Sequence, residues 1–74
     1  DKIKVNAIAP SVTLSERVKK LLETSPEIEA IANTHLLGLG EPIHVAELAV
    51  YLAGDESAIT TGQIIPVDSG VTIV

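Results

Sequence analysis

The 74-residue sequence has no cysteine, methionine, tryptophan or phenylalanine, and Tyr51 is its one large aromatic residue. Without cysteine the chain can form no disulfide and offers no thiolate to a metal or a substrate. Its 46% of apolar residues is therefore almost entirely Ile, Val, Leu and Ala, which is typical of strands and helices covered on both sides. Because a domain of about 60 residues buries only about 60% of its unfolded surface, we expect more apolar surface than this chain can bury alone.

Charge and hydropathy exclude several classes of partner. The net charge is −5, which argues against binding to the phosphate backbone of a nucleic acid. No apolar run approaches the roughly 18–20 residues of a membrane span, and the first residues do not form a signal peptide. We therefore expect a cytoplasmic protein with no membrane partner. Since methionine is absent and the chain starts at Asp1, we also expect a piece of a longer protein or a processed product.

Two short apolar stretches enclose a helical middle. The pattern predicts a strand over residues 3–9 that Pro10 ends, and a last strand over residues 63–68. Helical periodicity runs through residues 14–35, with a break at Ser25, and a second clear helix covers residues 42–53. Strand, helices and strand in this order form one crossover unit of a parallel sheet. The fold class is α/β. Two strands cannot complete such a sheet, so the missing strands must come from elsewhere.

Residues in the middle of the chain form no evident catalytic set. His35 lies on an apolar stripe and is interpreted as a packed or hydrogen-bonded histidine, with catalysis as the alternative. His44 follows a glutamate at the spacing of carboxylate-bridged metal sites, but one such motif is insufficient, and it is interpreted as a solvated first-turn residue. Tyr51 would need a lysine one turn later to act as an acid, and that position is Asp55. Tyr51 is therefore interpreted as a packing residue.

The loop after the first strand carries the strongest sign of ligand binding. Ser11, Val12, Thr13 and Ser15 offer backbone N–H groups and hydroxyls at the carboxyl end of a strand, where open α/β sheets bind ligands. Such groups hydrogen-bond a carboxamide or a phosphate. Thr13 or Ser15 can equally serve only as a helix cap. From these residues alone both interpretations stay open.

The succession of motifs resembles the short-chain dehydrogenase/reductase family over essentially all 74 residues. The stretch IKVNAIAP at residues 3–10 is similar to the family's sixth strand, R-V-N-x-I-x-P-G. The stretches GEP at residues 40–42, TGQ at residues 61–63 and VDSG at residues 67–70 resemble its closing motifs, in order and at the right spacing. Ser11 and Ser69 stand where the family usually has glycine.

The resemblance implies a Rossmann-type doubly wound parallel sheet, of which this chain supplies the last two strands and the helices between them. It implies that Pro10, Val12, Thr13 and Ser15 contact the nicotinamide end of NAD or NADP. Residues 14–35 would form a substrate lid over a small-molecule carbonyl or alcohol. The last helix and strand would form a subunit interface of a homodimer or homotetramer.

The family's glycine-rich loop and its catalytic Ser, Tyr and Lys precede this region. We therefore expect no catalytic residue and no metal ligand in this chain. Hydride transfer is expected of a parent protein in which the remainder of the domain is its partner. The alternative is a non-catalytic remnant or oligomerisation module that binds no cofactor.

Overall fold

Two strands flank three helices in the computed structural model, which describes residues 2–73. In chain order the elements are β1 (Ala7–Pro10), α1 (Glu16–Thr24), α2 (Pro26–Ala32), α3 (Pro42–Ala53) and β2 (Ile64–Val67). Single 3₁₀ turns cover Asp55–Ser57 and Val71–Ile73. The chain is thus an α/β unit in which two parallel strands are joined by a helical crossover.

The sheet is a short parallel ladder in which Ala7 lies opposite Ile64 and Pro10 opposite Val67. The expected strand over residues 3–9 is wrong at its start, because the residues before Ala7 bond to a turn and not to a strand. The Val5 N–H donates to the Thr61 hydroxyl at 3.0 Å. The last strand is likewise shorter than the expected 63–68. The chain turns away soon after Val67.

Polar side chains fasten this end of the sheet. The Asn6 amide donates to the Thr60 carbonyl at 3.0 Å and accepts the Gln63 N–H at 3.1 Å, so one side chain spans the turn that leads into β2. The Lys4 ammonium donates to the Gly54 carbonyl at 3.1 Å and to the Ser57 hydroxyl at 2.8 Å. The stretch before β1 is thereby attached to the C-terminal end of α3.

Serine hydroxyls begin the first two helices. The Ser15 Oγ accepts the Val18 N–H at 3.3 Å, and the Ser25 Oγ accepts the Ile28 N–H at 3.4 Å. These are N-caps, which satisfy amides that have no partner in the first turn. Ser25 breaks the helical stretch where the sequence predicts a break.

The helical stretch ends at Ala32 and not at residue 35, which corrects the predicted end of the segment 14–35. Two side chains take the carbonyl that would continue the helix. Thr34 Oγ1 donates to the Ile31 oxygen at 2.6 Å, and His35 Nδ1 lies 2.9 Å from the same atom. Side chains that bond to nearby backbone groups compete with helical hydrogen bonds in this way.

Helix α3 begins at Pro42, in the first helical position that proline favours, and has the bounds that the sequence predicts. The Glu41 N–H donates to Nδ1 of His44 at 2.8 Å. His44 is exposed and lies in the first turn of the helix. Val45, Leu48 and Leu52 recur along one face and are half-buried, and α3 packs against β1.

The turn after β2 is held by Asp68 and Ser69. The Asp68 carboxylate accepts the N–H groups of Gly70 and Thr72 at 3.1 and 3.2 Å. The Thr72 hydroxyl, together with these backbone groups, holds the pKa of Asp68 below its ordinary value. Ser69 adopts a φ of 53°, and its hydroxyl accepts the Leu37 N–H at 2.6 Å.

Within residues 2–72 no apolar side chain is buried, and the two buried side chains are the polar His35 and Ser57. The residues Ala7, Ala9, Ile64 and Pro66 share one face of the sheet, and all four are exposed. The radius of gyration is 14.7 Å, against about 11 Å for a compact chain of this length. None of the helices in the described part of the chain has the length and apolarity to cross a membrane.

Candidate functional site

The carboxyl ends of β1 and β2 lie at one edge of the sheet, because the strands are parallel. The loop at residues 11–15 leaves the end of β1, and the turn at residues 68–70 leaves the end of β2. The crevice outside such strand ends is where open α/β sheets bind ligands.

Pro10 is the last residue of β1 and is exposed. As a proline it has no N–H to donate to β2, and it fixes its own φ. The next N–H, that of Ser11, donates to the Val67 carbonyl at 3.3 Å and continues the contact between the two strand ends.

Two backbone N–H groups in this loop have no acceptor within residues 2–73. The N–H groups of Ser11, Leu14 and Ser15 donate to backbone carbonyls at 3.3, 2.7 and 2.8 Å. Those of Val12 and Thr13 donate to no acceptor within residues 2–73. Both residues are half-buried, so their amides are available to water or to a bound molecule. Two adjacent donors at a strand end suit a carbonyl oxygen or a phosphate.

The Ser15 hydroxyl accepts the Val18 N–H, so the capping role that the sequence suggests is present. A serine hydroxyl has one donor and two acceptor positions, and this cap uses one acceptor. The hydroxyl hydrogen can still be donated to a ligand. Thr13 is the other candidate cap, and its hydroxyl instead donates to the Ser11 carbonyl at 3.1 Å.

Contacts from distant residues brace this loop. Thr13 forms an isolated parallel bridge with Gly40, and Ser11 Oγ lies 2.8 Å from Nε2 of His35. The sequence predicts His35 to be packed or hydrogen-bonded, and its 7% exposure and two hydrogen bonds agree. Sequence reasoning missed the pairing with Ser11, because the two residues are 24 positions apart and no local spacing indicates the contact.

A groove of about 280 Å³ adjoins the loop through Gly40. Its walls come from the connection between α2 and α3, the start of α3 and the end of β2: Leu37, Gly38, Leu39, Gly40, His44, Val67 and Ser69. The groove therefore lies at the same edge of the sheet as the candidate site.

Residues 1–72 match the protein-family model described as enoyl-(acyl carrier protein) reductase. Over 71 residues the chain is 39% identical to the 3-oxoacyl-(acyl-carrier-protein) reductase FabG of Thermotoga maritima. It is 38% identical over 74 residues to a tropinone reductase homolog of Arabidopsis thaliana, and 39% identical over 69 residues to the 3alpha-hydroxysteroid dehydrogenase of Mediterraneibacter gnavus.

These matches cover 96%, 99% and 92% of the chain, but only 28%, 28% and 27% of the relatives. The chain thus spans a little over a quarter of their length. A crystal structure of the TT0495 protein from Thermus thermophilus is similar with a TM-score of 0.81 at 29% identity. That match covers 96% of this chain and 30% of the other.

Proposed function

The chain belongs to the short-chain dehydrogenase/reductase family, and on this basis we propose that it is the C-terminal portion of an NAD(P)-dependent oxidoreductase. The whole protein transfers a hydride between the nicotinamide cofactor and a carbonyl or alcohol substrate. The family match over residues 1–72 and the reductase and dehydrogenase names of the relatives support this proposal.

The observation that carries the proposal is the pair of N–H groups on Val12 and Thr13, which have no acceptor within residues 2–73. A nicotinamide carboxamide has a carbonyl oxygen that can accept from them. Pro10 and Ser15 lie at the two ends of this loop, and the Ser15 hydroxyl keeps a hydrogen that it can donate. The cofactor supplies or accepts the hydride, and this chain holds and orients its nicotinamide end.

The other parts of the chain have supporting roles in this proposal. Residues 14–35, which contain α1 and α2, form a lid over the substrate. The exposed sheet face around Ile64, which is 74% exposed, packs against the remainder of the parent domain. Ile43 and Val50 lie on α3 with 56% and 72% exposure, and this side of the helix, with β2, forms a homo-oligomer interface.

The exposed side of α3 also favours the second candidate, an oligomerisation module without cofactor. Ile43, Ala46, Glu47, Val50, Tyr51 and Glu56 line a shallow groove along this side, and such a surface can serve assembly alone. Cofactor binding by the intact protein, meaning the protein that contains this chain and the rest of the domain, separates the two candidates.

Ser15→Ala tests the loop in the intact protein. We expect the dissociation constant for NAD(P) to rise roughly two- to tenfold, which corresponds to the loss of one neutral hydrogen bond of about 0.5–1.5 kcal/mol. Ser25→Ala is the control, because the Ser25 hydroxyl caps α2 by accepting the amide three residues later, as Ser15 does for α1, and donates to Glu27 and not to the loop. It should leave the dissociation constant unchanged.

A cofactor titration of the unsubstituted protein and both variants decides between the alternatives. An unchanged dissociation constant for Ser15→Ala would leave Ser15 as a helix cap only. Equal losses in the two variants would show that helix destabilisation, and not a lost cofactor contact, weakens binding.

A further inference from the structure

His35 is buried although it lies outside every helix and strand. It follows the end of α2, and its side chain is 7% exposed in a chain whose described apolar side chains all retain more exposure. Nδ1 lies 2.9 Å from the Ile31 carbonyl oxygen, and Nε2 lies 2.8 Å from the Ser11 hydroxyl. Both ring nitrogens are therefore hydrogen-bonded.

The partners of the ring fix its tautomer. A carbonyl oxygen can only accept, so Nδ1 must carry the proton that is donated to Ile31. In the neutral ring Nε2 is then an acceptor, and the Ser11 hydroxyl donates to it. The ring is thus held from two sides, by the last turn of α2 and by the loop after β1.

Ser11 is the residue through which this contact reaches the candidate site. Its N–H donates to the Val67 carbonyl at 3.3 Å, its carbonyl accepts the Thr13 hydroxyl at 3.1 Å, and its side chain bonds to His35. These three contacts fix the residue that directly precedes Val12.

We propose that His35 is a positioning residue for the cofactor loop. Through Ser11 it holds the loop in the conformation that presents the Val12 and Thr13 N–H groups, and it couples the end of the segment 14–35 to that loop. This inference rests on the proposed function. The contact of His35 with the loop requires the hydroxyl of Ser11, which stands where the family usually has a glycine.

A double-mutant cycle in the intact protein tests the coupling. Ser11→Ala and His35→Leu should each raise the NAD(P) dissociation constant roughly two- to tenfold, as expected for one hydrogen bond. The dissociation constant of the double variant should be no higher than the higher of the two single-variant values, because both substitutions remove the same contact. Losses that multiply in the double variant, or unchanged binding in both single variants, would overturn the proposal.

His35→Gln supplies the control for a merely structural role. Glutamine can accept from the Ser11 hydroxyl, whereas leucine cannot. We expect His35→Gln to bind NAD(P) within about twofold of the unsubstituted protein, even if its urea midpoint falls as far as that of His35→Leu. Equal affinity losses in the two variants would contradict the role through Ser11.

Nitrogen-15 NMR of the unsubstituted intact protein measures the tautomer of the His35 ring without any substitution. The neutral His35 ring should be protonated at Nδ1, and a ring protonated mainly at Nε2 would overturn the proposal. A protein that binds neither NAD nor NADP would contradict the proposed function itself. Normal cofactor binding with multiplying losses would contradict only the role of His35.

Discussion

Ser69 shows how one residue can hold two loops together at some conformational cost. Within residues 2–73 it is the one residue other than glycine with a positive φ, 53°, a region that costs L-residues roughly 1–2 kcal/mol. Its carbonyl accepts the Leu36 N–H at 2.8 Å, and its hydroxyl accepts the Leu37 N–H at 2.6 Å. The hydroxyl contact offsets the backbone strain and attaches the turn after β2 to the connection between α2 and α3.

Substitution of Ser69 separates these two effects. Ser69→Ala loses the hydrogen bond and keeps the strain, so we expect the intact protein to lose about 1 kcal/mol of unfolding free energy. Ser69→Gly loses the same bond but relieves the strain, so it should be the more stable of the two variants. Urea unfolding measures both. Greater stability of Ser69→Ala would contradict this account.

At the scale of elements, the helix starts could be predicted because their signals are local. Ser25 followed by Pro26 marks a cap and a first helical position in the sequence, and Pro42 marks the start of α3. The end of α2 could not be predicted. It depends on Thr34 and His35 side chains that take the Ile31 carbonyl, and hydrophobic periodicity carries no sign of that competition.

The start of β1 could not be predicted for a related reason. Alternating apolar residues from Ile3 onward resemble a strand, but strand length is set by the partner, and Ala7 is the first residue with a partner in β2. The choice of the loop at residues 11–15 as the candidate site needs only the strand order, because open α/β sheets bind ligands at the carboxyl ends of their strands. Its bracing by His35 arises only from the folded chain.

Lys4 tests the attachment between elements. Its ammonium donates to carbonyls at the C-terminal end of α3 and to Ser57, where the helix dipole favours a cation. Lys4→Met should lower the unfolding free energy of the intact protein by about 1 kcal/mol. The exposed Lys2 is the control, and Lys2→Met should change it by less than about 0.5 kcal/mol. Equal losses in urea unfolding would contradict the attachment.

At the scale of the whole molecule, apolar surface is the dominant feature. Large side chains remain open to solvent on the sheet and in the turns between elements, among them Ile59 at 98%, Leu37 at 89% and Ile64 at 74% exposure. A two-stranded sheet is marginal in water, and its edges and one face have no cover within residues 2–73. The hydrophobic effect therefore favours association with further apolar surface over an independent fold.

We expect the isolated 74-residue chain not to fold stably as a monomer, and to show no dehydrogenase turnover. Circular dichroism during a urea titration should give a gradual change without a cooperative transition, or size-exclusion chromatography should reveal association. A monodisperse monomer that unfolds cooperatively would contradict the expectation. The intact protein, prepared in parallel, should unfold cooperatively.

The central claim is that the loop at residues 11–15 holds the nicotinamide of NAD(P). The most direct test is an amide NMR titration of the intact protein with NAD and with NADP. The Val12 and Thr13 amide protons should shift downfield and gain protection from solvent exchange as they acquire an acceptor. The Ile28 amide, already bonded to the Ser25 cap, should not move. Saturable cofactor binding that leaves the Val12 and Thr13 amides unchanged would contradict the account.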